Sequence, residues 1–301
     1  MSSRTEEKPL KGSDGIDLYT KSWLPSSAPT AQICFIHGFS DHVGRYANYF
    51  PLLAERGVAV HALDQRGWGK SVRKSADRGA TGPTSKVMDD ITTLLQSYLP
   101  SSIPIFLMGH SMGGQETLYW ACTGPQDVKK QLAGFIAVAP WIQLHSKSQP
   151  SWLKVRAGKL VSLLLPNHQL KSELDANVLS HNEAENVDWK NDPLCHDTGT
   201  LEGMAGALTR ADELHNGDVS LVDYEGLRVL VVHGGEDMVT STPASKQFVE
   251  RAAVKQKTLK IYEGIYHNVH VDTPERLRDD VLEFIGQASA SSSTSQTQSK
   301  L

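Results

Sequence analysis

The stretch IPIFLMGHSMGGQETLYW, residues 103–120, decides the fold. It begins as a short apolar run, changes abruptly to small and polar residues around Ser111, and continues with residues that favour a helix. An apolar run without alternation is typical of a strand that is covered on both faces. Gly109 and Gly113 permit a turn too tight for larger side chains, and such a turn would lift the serine above the sheet. We therefore interpret this stretch as a strand, a sharp turn that presents one serine, and a helix.

Similar apolar runs recur between helical patterns, which predicts a mostly parallel sheet flanked by helices, an α/β fold. These runs cover residues 31–36, 58–63, 103–108, 132–139, 228–232 and 258–262. Two helix candidates, TPASKQFVERAAV and TPERLRDDVLEFIG, begin with Thr-Pro, which is a typical helix start. An earlier alternating stretch, IDLYTKSWLP, is predicted to be an antiparallel edge strand.

The alternation of strands and helices is interrupted over residues 141–216, where no strand-like run occurs. We predict a core formed by 1–140 and 217–286, a mostly helical cap over 141–216, and a disordered Ser-rich tail over 287–301. One stretch of the cap suits either an amphipathic helix lying on lipid or a helix buried on the core. Its apolar residues are Trp152, Leu153, Val155, Leu160, Val161, Leu163, Leu164 and Leu165.

Composition and charge argue against several classes of function. The 301 residues are 39% hydrophobic and carry a net charge of -4, without a basic block that could follow a phosphate backbone. We therefore expect no nucleic-acid partner. The polar start of the chain lacks a signal peptide, and no apolar stretch of about 18 residues is available to span a bilayer. We expect a cytoplasmic protein, and three widely spaced cysteines predict no disulfide framework.

Ser111 needs a base and an acid to act as a nucleophile, because a serine hydroxyl is weakly nucleophilic at neutral pH. The pattern G-x-S-x-G between a strand and a helix is typical of a nucleophile elbow, followed along the chain by an acid and then a histidine. Residues after the run 228–232 offer Glu236 and Asp237, and residues after 258–262 offer His267 and His270. The sequence thus predicts a catalytic triad at the carboxyl edge of the sheet, with two candidates for the acid and two for the base.

A serine nucleophile also requires backbone N–H groups that stabilise a developing oxyanion. We assign one to Met112, directly after the serine, and the other to Phe39 in the loop HGFSDH after the run 31–36. His37 is interpreted as a structural anchor of that loop. Metal-dependent hydrolysis is not favoured, because no H-E-x-x-H motif or carboxylate-rich cluster accompanies the 12 histidines. We expect neither a metal nor another cofactor.

Six segments together resemble the monoacylglycerol lipases among the serine α/β-hydrolases, over roughly residues 15–286. The segments are HGFSDHVGRY, DQRGWGKS, PIFLMGHSMGG, NDPL, VLVVHGGED and TLKIYEGIYHNVH. The resemblance implies a capped α/β-hydrolase that converts monoacylglycerols into fatty acid and glycerol without a cofactor. It favours Asp237 over Glu236 as the catalytic acid, and His267 over His270 as the catalytic base.

The resemblance also implies a polar end of the site, where glycerol would sit. Asp41, Arg45 and His270 would line this end, and His110 would support the serine turn. Arg45 has an alternative interpretation, in which it pairs with Asp41 on the surface. We expect a monoacylglycerol or a related lipid ester as the ligand, and peripheral contact of the cap with a membrane or lipid droplet.

Three neighbouring positions depart from the family pattern. Phe39 and Ser40 stand where the family usually has a small residue followed by glycine, and Asp41 replaces the usual glutamate. The bulk of Phe39 is expected to reshape the oxyanion loop or the acyl pocket. The same triad would also suit a broader carboxylesterase or lysophospholipase, and a non-catalytic binding module on this fold is the alternative from a different class.

Overall fold

An eight-stranded sheet with six parallel strands forms the centre of the protein. The computed structural model describes residues 3–149 and 152–298, with the backbone alone for 152–155, 157 and 289–298. The strand order in this sheet is β1-β2-β4-β3-β5-β6-β9-β10, and β7 and β8 form a separate antiparallel pair. The described strands are β1 Arg4–Lys11, β2 Asp17–Leu24, β3 Ala31–Ile36, β4 Val58–Leu63, β5 Ile105–His110, β6 Gly134–Val138, β7 Gln169–Lys171, β8 Thr198–Thr200, β9 Arg228–Gly234 and β10 Gln256–Tyr262.

Helices cover both faces of the sheet. They are α1 Phe50–Ala54, α2 Thr84–Gln96, α3 Met112–Thr123, α4 Gln126–Lys129, α5 Trp152–Ser162, α6 Glu183–Asn191, α7 Leu201–Asn216, α8 Thr242–Arg251, α9 Val269–Asp272 and α10 Pro274–Gln298. Short 3-10 helices span Val43–Tyr46, Gly69–Ser71, Ser75–Asp77 and Ala176–Val178. Across the two described ranges, every helix is too short or too polar to traverse a lipid bilayer.

The predicted parallel sheet is confirmed, and its central strands bury both faces. In β3, Cys34 and Ile36 pack into one apolar layer, whereas Ile33 and Phe35 pack into the layer on the opposite face. Residues of α2, α3 and α8 complete the first layer, and residues of α1 and α10 complete the second. Burial on both faces explains why these strands read as continuous apolar runs.

The prediction for the first antiparallel strand is wrong in one respect. β2 is antiparallel to β4, as expected, but it is not an edge strand, because β1 pairs with its other side. The sequence RTEEKPLK of β1 has no apolar face, since nearly all of its side chains are exposed. An edge strand that buries so little leaves no hydrophobic pattern to recognise.

Residues 141–216, here called the inserted segment, lie between β6 and β9. They contain α5, α6 and α7, together with the short pair β7 and β8, which the sequence did not predict. Strands of three residues are too short to show a period. At the end of the chain, α10 continues to Gln298 although disorder was predicted from residue 287 onward. Ala288 packs into the core beside α1, which favours continuation of the helix, and residues 299–301 lie outside the described part.

The inserted segment is attached to the core by a buried ion pair. Nη2 of Arg210, on α7, donates to Oε1 of Glu116 at 3.0 Å, and its Nε donates to Oε1 of Gln115 at 3.1 Å. Both partners belong to α3, and the Arg210 and Glu116 side chains are 3% and 1% exposed. Burial raises the pKa of Glu116 to about 7, although the Arg210 charge acts in the opposite direction. α7 is therefore joined to the helix that begins directly after Ser111.

Candidate active site

Ser111 occupies a strained turn between β5 and α3. Its φ of 57° and ψ of −116° lie in a region that residues with a side chain rarely adopt. A Cβ on Gly109 would lie 2.1 Å from the carbonyl oxygen of Gly113, and a Cβ on Gly113 would lie 2.2 Å from that of Ile36. Only glycine fits these two positions. The turn is therefore tight enough to place the Ser111 side chain at the carboxyl edge of the sheet.

Ser111, His267 and Asp237 form a hydrogen-bonded chain. Oγ of Ser111 lies 2.9 Å from Nε2 of His267, and Nδ1 of His267 lies 2.7 Å from Oδ2 of Asp237. Since a carboxylate only accepts, Nδ1 of His267 carries the proton and its Nε2 lone pair faces the serine hydroxyl. The structure thus brings together the three residues that the resemblance favoured, whereas the side chain of Glu236 is exposed.

Asp237 is surrounded by hydrogen-bond donors. Its Oδ1 accepts from the backbone N–H groups of Val239 at 2.7 Å and Thr240 at 2.9 Å. Its Oδ2 accepts from the Thr240 hydroxyl at 2.8 Å and from Nε2 of His233 at 3.1 Å, in addition to His267. Burial raises the pKa of Asp237, but the charges and hydrogen bonds of His267 and His233 outweigh burial and hold it well below its ordinary value. The carboxylate therefore stays ionised at neutral pH.

His233 supports Asp237 from within the sheet, and the sequence analysis did not find it. This histidine lies in β9 and is fully buried. Its Nδ1 lies 2.9 Å from the hydroxyl of Ser245, which leaves an Nε2 proton to donate to Asp237. The sequence signal is a histidine at the end of an apolar run, four residues before an aspartate. That pattern does not distinguish a partner of Asp237 from an ordinary strand residue.

The loop that was predicted to supply an oxyanion donor lies directly against Ser111. A Cβ on Gly38 would lie 3.1 Å from the Cβ of Ser111. His37 anchors this loop, because its Nε2 accepts a backbone N–H from the loop after β4 at 2.9 Å and its Nδ1 donates to the Gly38 carbonyl at 2.7 Å. Among the described residues, no acceptor is hydrogen-bonded to the N–H of Phe39 or Met112. Both groups are thus available to an oxyanion.

The loop accommodates Phe39 and Ser40, which stand in place of the small residue and the glycine of the family pattern. Ser40 has a left-handed backbone, with φ of 54°, at the position where the family usually has glycine. Its carbonyl oxygen accepts a hydrogen bond from Nε1 of Trp189, in the inserted segment, at 3.0 Å. The Phe39 ring packs edge-on against Trp68, with ring centroids 4.9 Å apart. Phe39 also lines both of the cavities beside Ser111 that are described below.

An apolar cavity of about 450 Å³ extends from Ser111. Its wall combines the core with the inserted segment and includes Phe39, Trp141, Leu144, Leu174, Met204 and Leu208. Leu170 also lines the cavity and is 42% exposed, so the cavity reaches the molecular surface beside β7. The size and the lining suit a hydrocarbon chain.

A polar pocket of about 30 Å³ adjoins the same serine. Asp41, Arg45 and His270, which the resemblance assigned to the glycerol end, all line it, and so does His110, which was assigned to support of the serine turn. The alternative pairing of Arg45 with Asp41 is wrong. Nη2 of Arg45 donates instead to Oε2 of Glu185, on α6, at 3.0 Å, while the Asp41 carboxyl contacts Tyr46. Arg45 thus joins the polar pocket to the inserted segment.

Two of the histidines that line the polar pocket, His110 and His270, are neutral at neutral pH. Burial, together with the charge of His267, lowers the pKa of His110 well below its ordinary value and that of His270 to about 3. The ring of His270 stacks on Tyr46, with centroids 4.4 Å apart. His110 contacts the backbone of His267, where its Nε2 donates to the carbonyl oxygen at 3.2 Å. His110 therefore supports the catalytic histidine. It is also the last residue of β5, directly before Ser111.

One group of potential metal ligands occurs in the described part of the chain, formed by His42, Asp192 and Cys195. Nδ1 of His42 accepts the backbone N–H of Gly44 at 3.1 Å, and its Nε2 lies 3.0 Å from Oδ2 of Asp192. A neutral imidazole has a single lone-pair nitrogen, and in His42 that lone pair is already occupied. We therefore interpret the group as a hydrogen-bonded link between the oxyanion loop and the inserted segment.

Comparisons with known proteins agree with this architecture. The family model described as serine aminopeptidase, S33, matches residues 27–274. A putative monoglyceride lipase of Schizosaccharomyces pombe is 35% identical over 91% of this chain and 70% of its own length. The monoglyceride lipase of Rattus norvegicus is 31% identical over 88% of this chain and 84% of its own length.

Solved structures show the same fold. A soluble variant of monoglyceride lipase from Saccharomyces cerevisiae, in complex with a substrate analog, superposes with a TM-score of 0.84 at 21% identity, over 96% of this chain and 97% of that chain. The monoacylglycerol lipase of Paleococcus ferrophilus superposes with a TM-score of 0.78 at 27% identity, over 90% of this chain and 99% of its own. The chain therefore belongs to the monoacylglycerol lipase family, α/β-hydrolases within the broader family described as serine aminopeptidase, S33.

Proposed function

We propose that this serine hydrolase cleaves monoacylglycerols into a free fatty acid and glycerol, with Ser111 as the nucleophile. The observation that carries the proposal is the position of the hydrogen-bonded serine between the apolar cavity and the polar pocket. An ester bond at Ser111 would have its acyl chain on the apolar side and its alcohol on the polar side. Membership of the monoacylglycerol lipase family supports the same substrate.

In the acylation step, Oγ of Ser111 attacks the ester carbonyl carbon while Nε2 of His267 removes the hydroxyl proton. The N–H groups of Phe39 and Met112 stabilise the tetrahedral oxyanion. His267 then donates its proton to the glycerol oxygen, which leaves as an alcohol. Asp237 holds the imidazole in the required tautomer and stabilises the imidazolium.

In the deacylation step, water replaces glycerol beside His267 and attacks the acyl-enzyme. The same histidine accepts the proton of the water and returns it to Ser111, so the fatty acid is released and the enzyme is restored. The polar pocket has room for about one water molecule at 30 Å³. A glycerol headgroup requires it to widen, and we assign this movement to the inserted segment, which supplies Leu174, Leu179 and Trp189 to its wall.

We propose that the inserted segment acts as a cap that contacts a membrane or lipid-droplet surface. Six of its exposed apolar side chains between residues 160 and 170 are here called the leucine patch, namely Leu160, Val161, Leu163, Leu164, Leu165 and Leu170. Leu163 and Leu164 are 78% and 81% exposed, and Leu170 joins the patch to the apolar cavity. A peripheral contact here would allow a lipid to enter the cavity from the bilayer. The side chains of Trp152, Leu153 and Val155, which belong to the same amphipathic stretch of the sequence, lie outside the described part.

Replacing Leu163 and Leu164 together by serine is expected to weaken vesicle binding by about tenfold or more, because two exposed apolar side chains would no longer enter the lipid surface. Sedimentation with phosphatidylcholine vesicles measures the bound fraction. Val222→Ser is the matched control, since Val222 is 68% exposed but lies outside the inserted segment. Equal binding of the double variant and the wild-type protein would refute the docking role.

A substrate panel tests the proposed reaction. Rates are measured on long-chain monoacylglycerol, short p-nitrophenyl esters and lysophospholipid, and the specificity is the ratio of the kcat/KM values. We expect kcat/KM to be highest for monoacylglycerol. A preference for the short esters would instead indicate a carboxylesterase. A preference for lysophospholipid would indicate a lysophospholipase. Failure of a fluorophosphonate probe to label Ser111 would indicate a non-catalytic binding module.

A further inference from the structure

The hydrogen bonds that lead from Asp41 to the catalytic histidine form an unbroken chain of three contacts. Oδ2 of Asp41 lies 2.7 Å from the hydroxyl oxygen of Tyr46, and that oxygen lies 2.9 Å from Nδ1 of His110. Nε2 of His110 then lies 3.2 Å from the backbone carbonyl oxygen of His267. Each contact requires one proton, so the chain as a whole requires three.

An ionised aspartate and a neutral histidine supply too few protons for these contacts. A carbonyl oxygen only accepts, so Nε2 of His110 must carry a proton. In a neutral imidazole Nδ1 then accepts, and the one hydroxyl proton of Tyr46 is directed at His110. The contact between Tyr46 and Asp41 therefore lacks a proton unless Asp41 carries it. The alternative is a doubly protonated His110 beside an ionised Asp41, and both arrangements hold the same additional proton.

Burial favours the neutral arrangement, because Asp41, Tyr46 and His110 are 8%, 1% and 3% exposed and separated charges are costly there. Burial raises the pKa of Asp41 and lowers that of His110. The guanidinium of Arg45 is already paired with Glu185. The titratable groups facing Asp41 are His42, Arg45, Tyr46, Asp64 and Cys195, and those facing His110 are Tyr46, Asp237, His267 and His270.

We propose that Asp41 is a protonated, neutral carboxylic acid that positions His267 through Tyr46 and His110, rather than a carboxylate that binds substrate. Both of its oxygens are engaged within the protein, because Oδ1 accepts the backbone N–H of His42 at 2.8 Å. Asp41 is therefore a positioning residue. The positioning role rests on the proposed hydrolysis, whereas the proton on Asp41 does not depend on any reaction.

Loss of this proton must break one of the three hydrogen bonds. An ionised Asp41 takes the hydroxyl proton of Tyr46, so His110 presents a lone pair either to Tyr46 or, after a tautomer change, to the carbonyl of His267. The form with the proton on Asp41 keeps all three hydrogen bonds and so holds His267 in position. Activity is therefore lost as the pH rises. We expect kcat to fall about tenfold as the pH passes the pKa of Asp41, which burial places above its ordinary value.

Infrared difference spectroscopy detects the proton without turnover. With isotopically labelled aspartate at neutral pH, we expect the carbonyl stretch of an un-ionised carboxyl in the wild-type protein and its loss in Asp41→Asn. Tyr46→Phe, which removes the acceptor of the carboxyl proton, should shift the band. The matched control is Asp192→Asn, which removes a neighbouring carboxylate outside the chain of contacts and should leave the band in place. Absence of the band from the wild-type protein would overturn the proposal.

The pH dependence of kcat tests the positioning role on whichever ester the enzyme hydrolyses. Asp41→Asn keeps an amide donor towards Tyr46 at every pH, so we expect the alkaline loss of kcat to disappear in this variant while it persists in Asp192→Asn. Tyr46→Phe should lower kcat about tenfold at neutral pH with little change in KM. An unchanged alkaline limb in Asp41→Asn, or an unchanged kcat in Tyr46→Phe, would contradict the role. A protein that hydrolyses no ester would refute the proposed function alone, since the infrared band would still report the proton.

Discussion

Ser111→Ala is expected to lower kcat by about a million-fold, which is the scale of loss when a catalytic serine is removed. The substitution removes Oγ, which lies 2.9 Å from Nε2 of His267, and therefore prevents formation of the acyl-enzyme. Single-turnover measurement of fatty-acid release on monoacylglycerol gives the rate. The remaining activity should come from the oxyanion donors and from substrate binding.

The fold of the Ser111→Ala variant should persist, because the strained turn depends on Gly109 and Gly113 rather than on the hydroxyl. Circular dichroism and the midpoint of thermal unfolding provide this check. The variant should also resist labelling by a fluorophosphonate probe. Turnover within tenfold of the wild-type rate in a folded variant would show that another residue is the nucleophile.

Asp237→Asn is expected to lower kcat by about ten-thousand-fold. Oδ1 of Asp237 accepts two backbone N–H groups, and Oδ2 accepts the hydroxyl of Thr240 and the rings of His233 and His267. The amide nitrogen introduced by Asp237→Asn would face hydrogen-bond donors whether it takes the place of Oδ1 or of Oδ2. If it faces His267, the imidazole is held in the tautomer whose Nε2 carries a proton and cannot accept one from Ser111. We also expect a loss of about 1–3 kcal/mol in the free energy of unfolding, because buried donors lose their acceptor.

Glu236→Gln is the matched control for Asp237→Asn. Glu236 precedes Asp237 in the same loop, carries the same charge and is exposed. We expect its kcat and stability to remain within about twofold and about 0.5 kcal/mol of the wild-type values. Urea denaturation and steady-state kinetics on the same ester measure both variants. A greater loss of kcat in Glu236→Gln than in Asp237→Asn would show that Glu236, and not Asp237, is the catalytic acid.

The sheet could be predicted from the sequence because its central strands are buried on both faces. The runs 31–36 and 58–63 coincide with β3 and β4 residue for residue. β5 instead starts two residues after the predicted run and continues through Gly109 to His110, because pairing with β6 extends to the turn. The edge strand β1 could not be found, since it contributes hydrogen bonds but almost no buried apolar surface.

The candidate triad could be predicted because each member follows a predicted strand at the same edge of the sheet. The resemblance then chose between Asp237 and Glu236, and the contacts of Asp237 with His267 are consistent with that choice. The partners of these residues could not be predicted in the same way. Tyr46 contacts His110 and His233 contacts Asp237 through side chains, and the positions of Tyr46 and His233 in the sequence do not distinguish them from ordinary core residues.

The ion pair between Arg210 and Glu116 limits how the active site can open. A small shift of α7 relative to α3 would separate the Arg210 and Glu116 side chains before water reaches them, and a buried charge that loses its partner costs about 3–5 kcal/mol. Opening on the timescale of turnover must therefore leave this end of the inserted segment in place. The ion pair would thus act as a fixed pivot, and we expect any opening to be confined to parts of the inserted segment away from Arg210, such as the end of α5 and the residues after it, which carry most of the leucine patch.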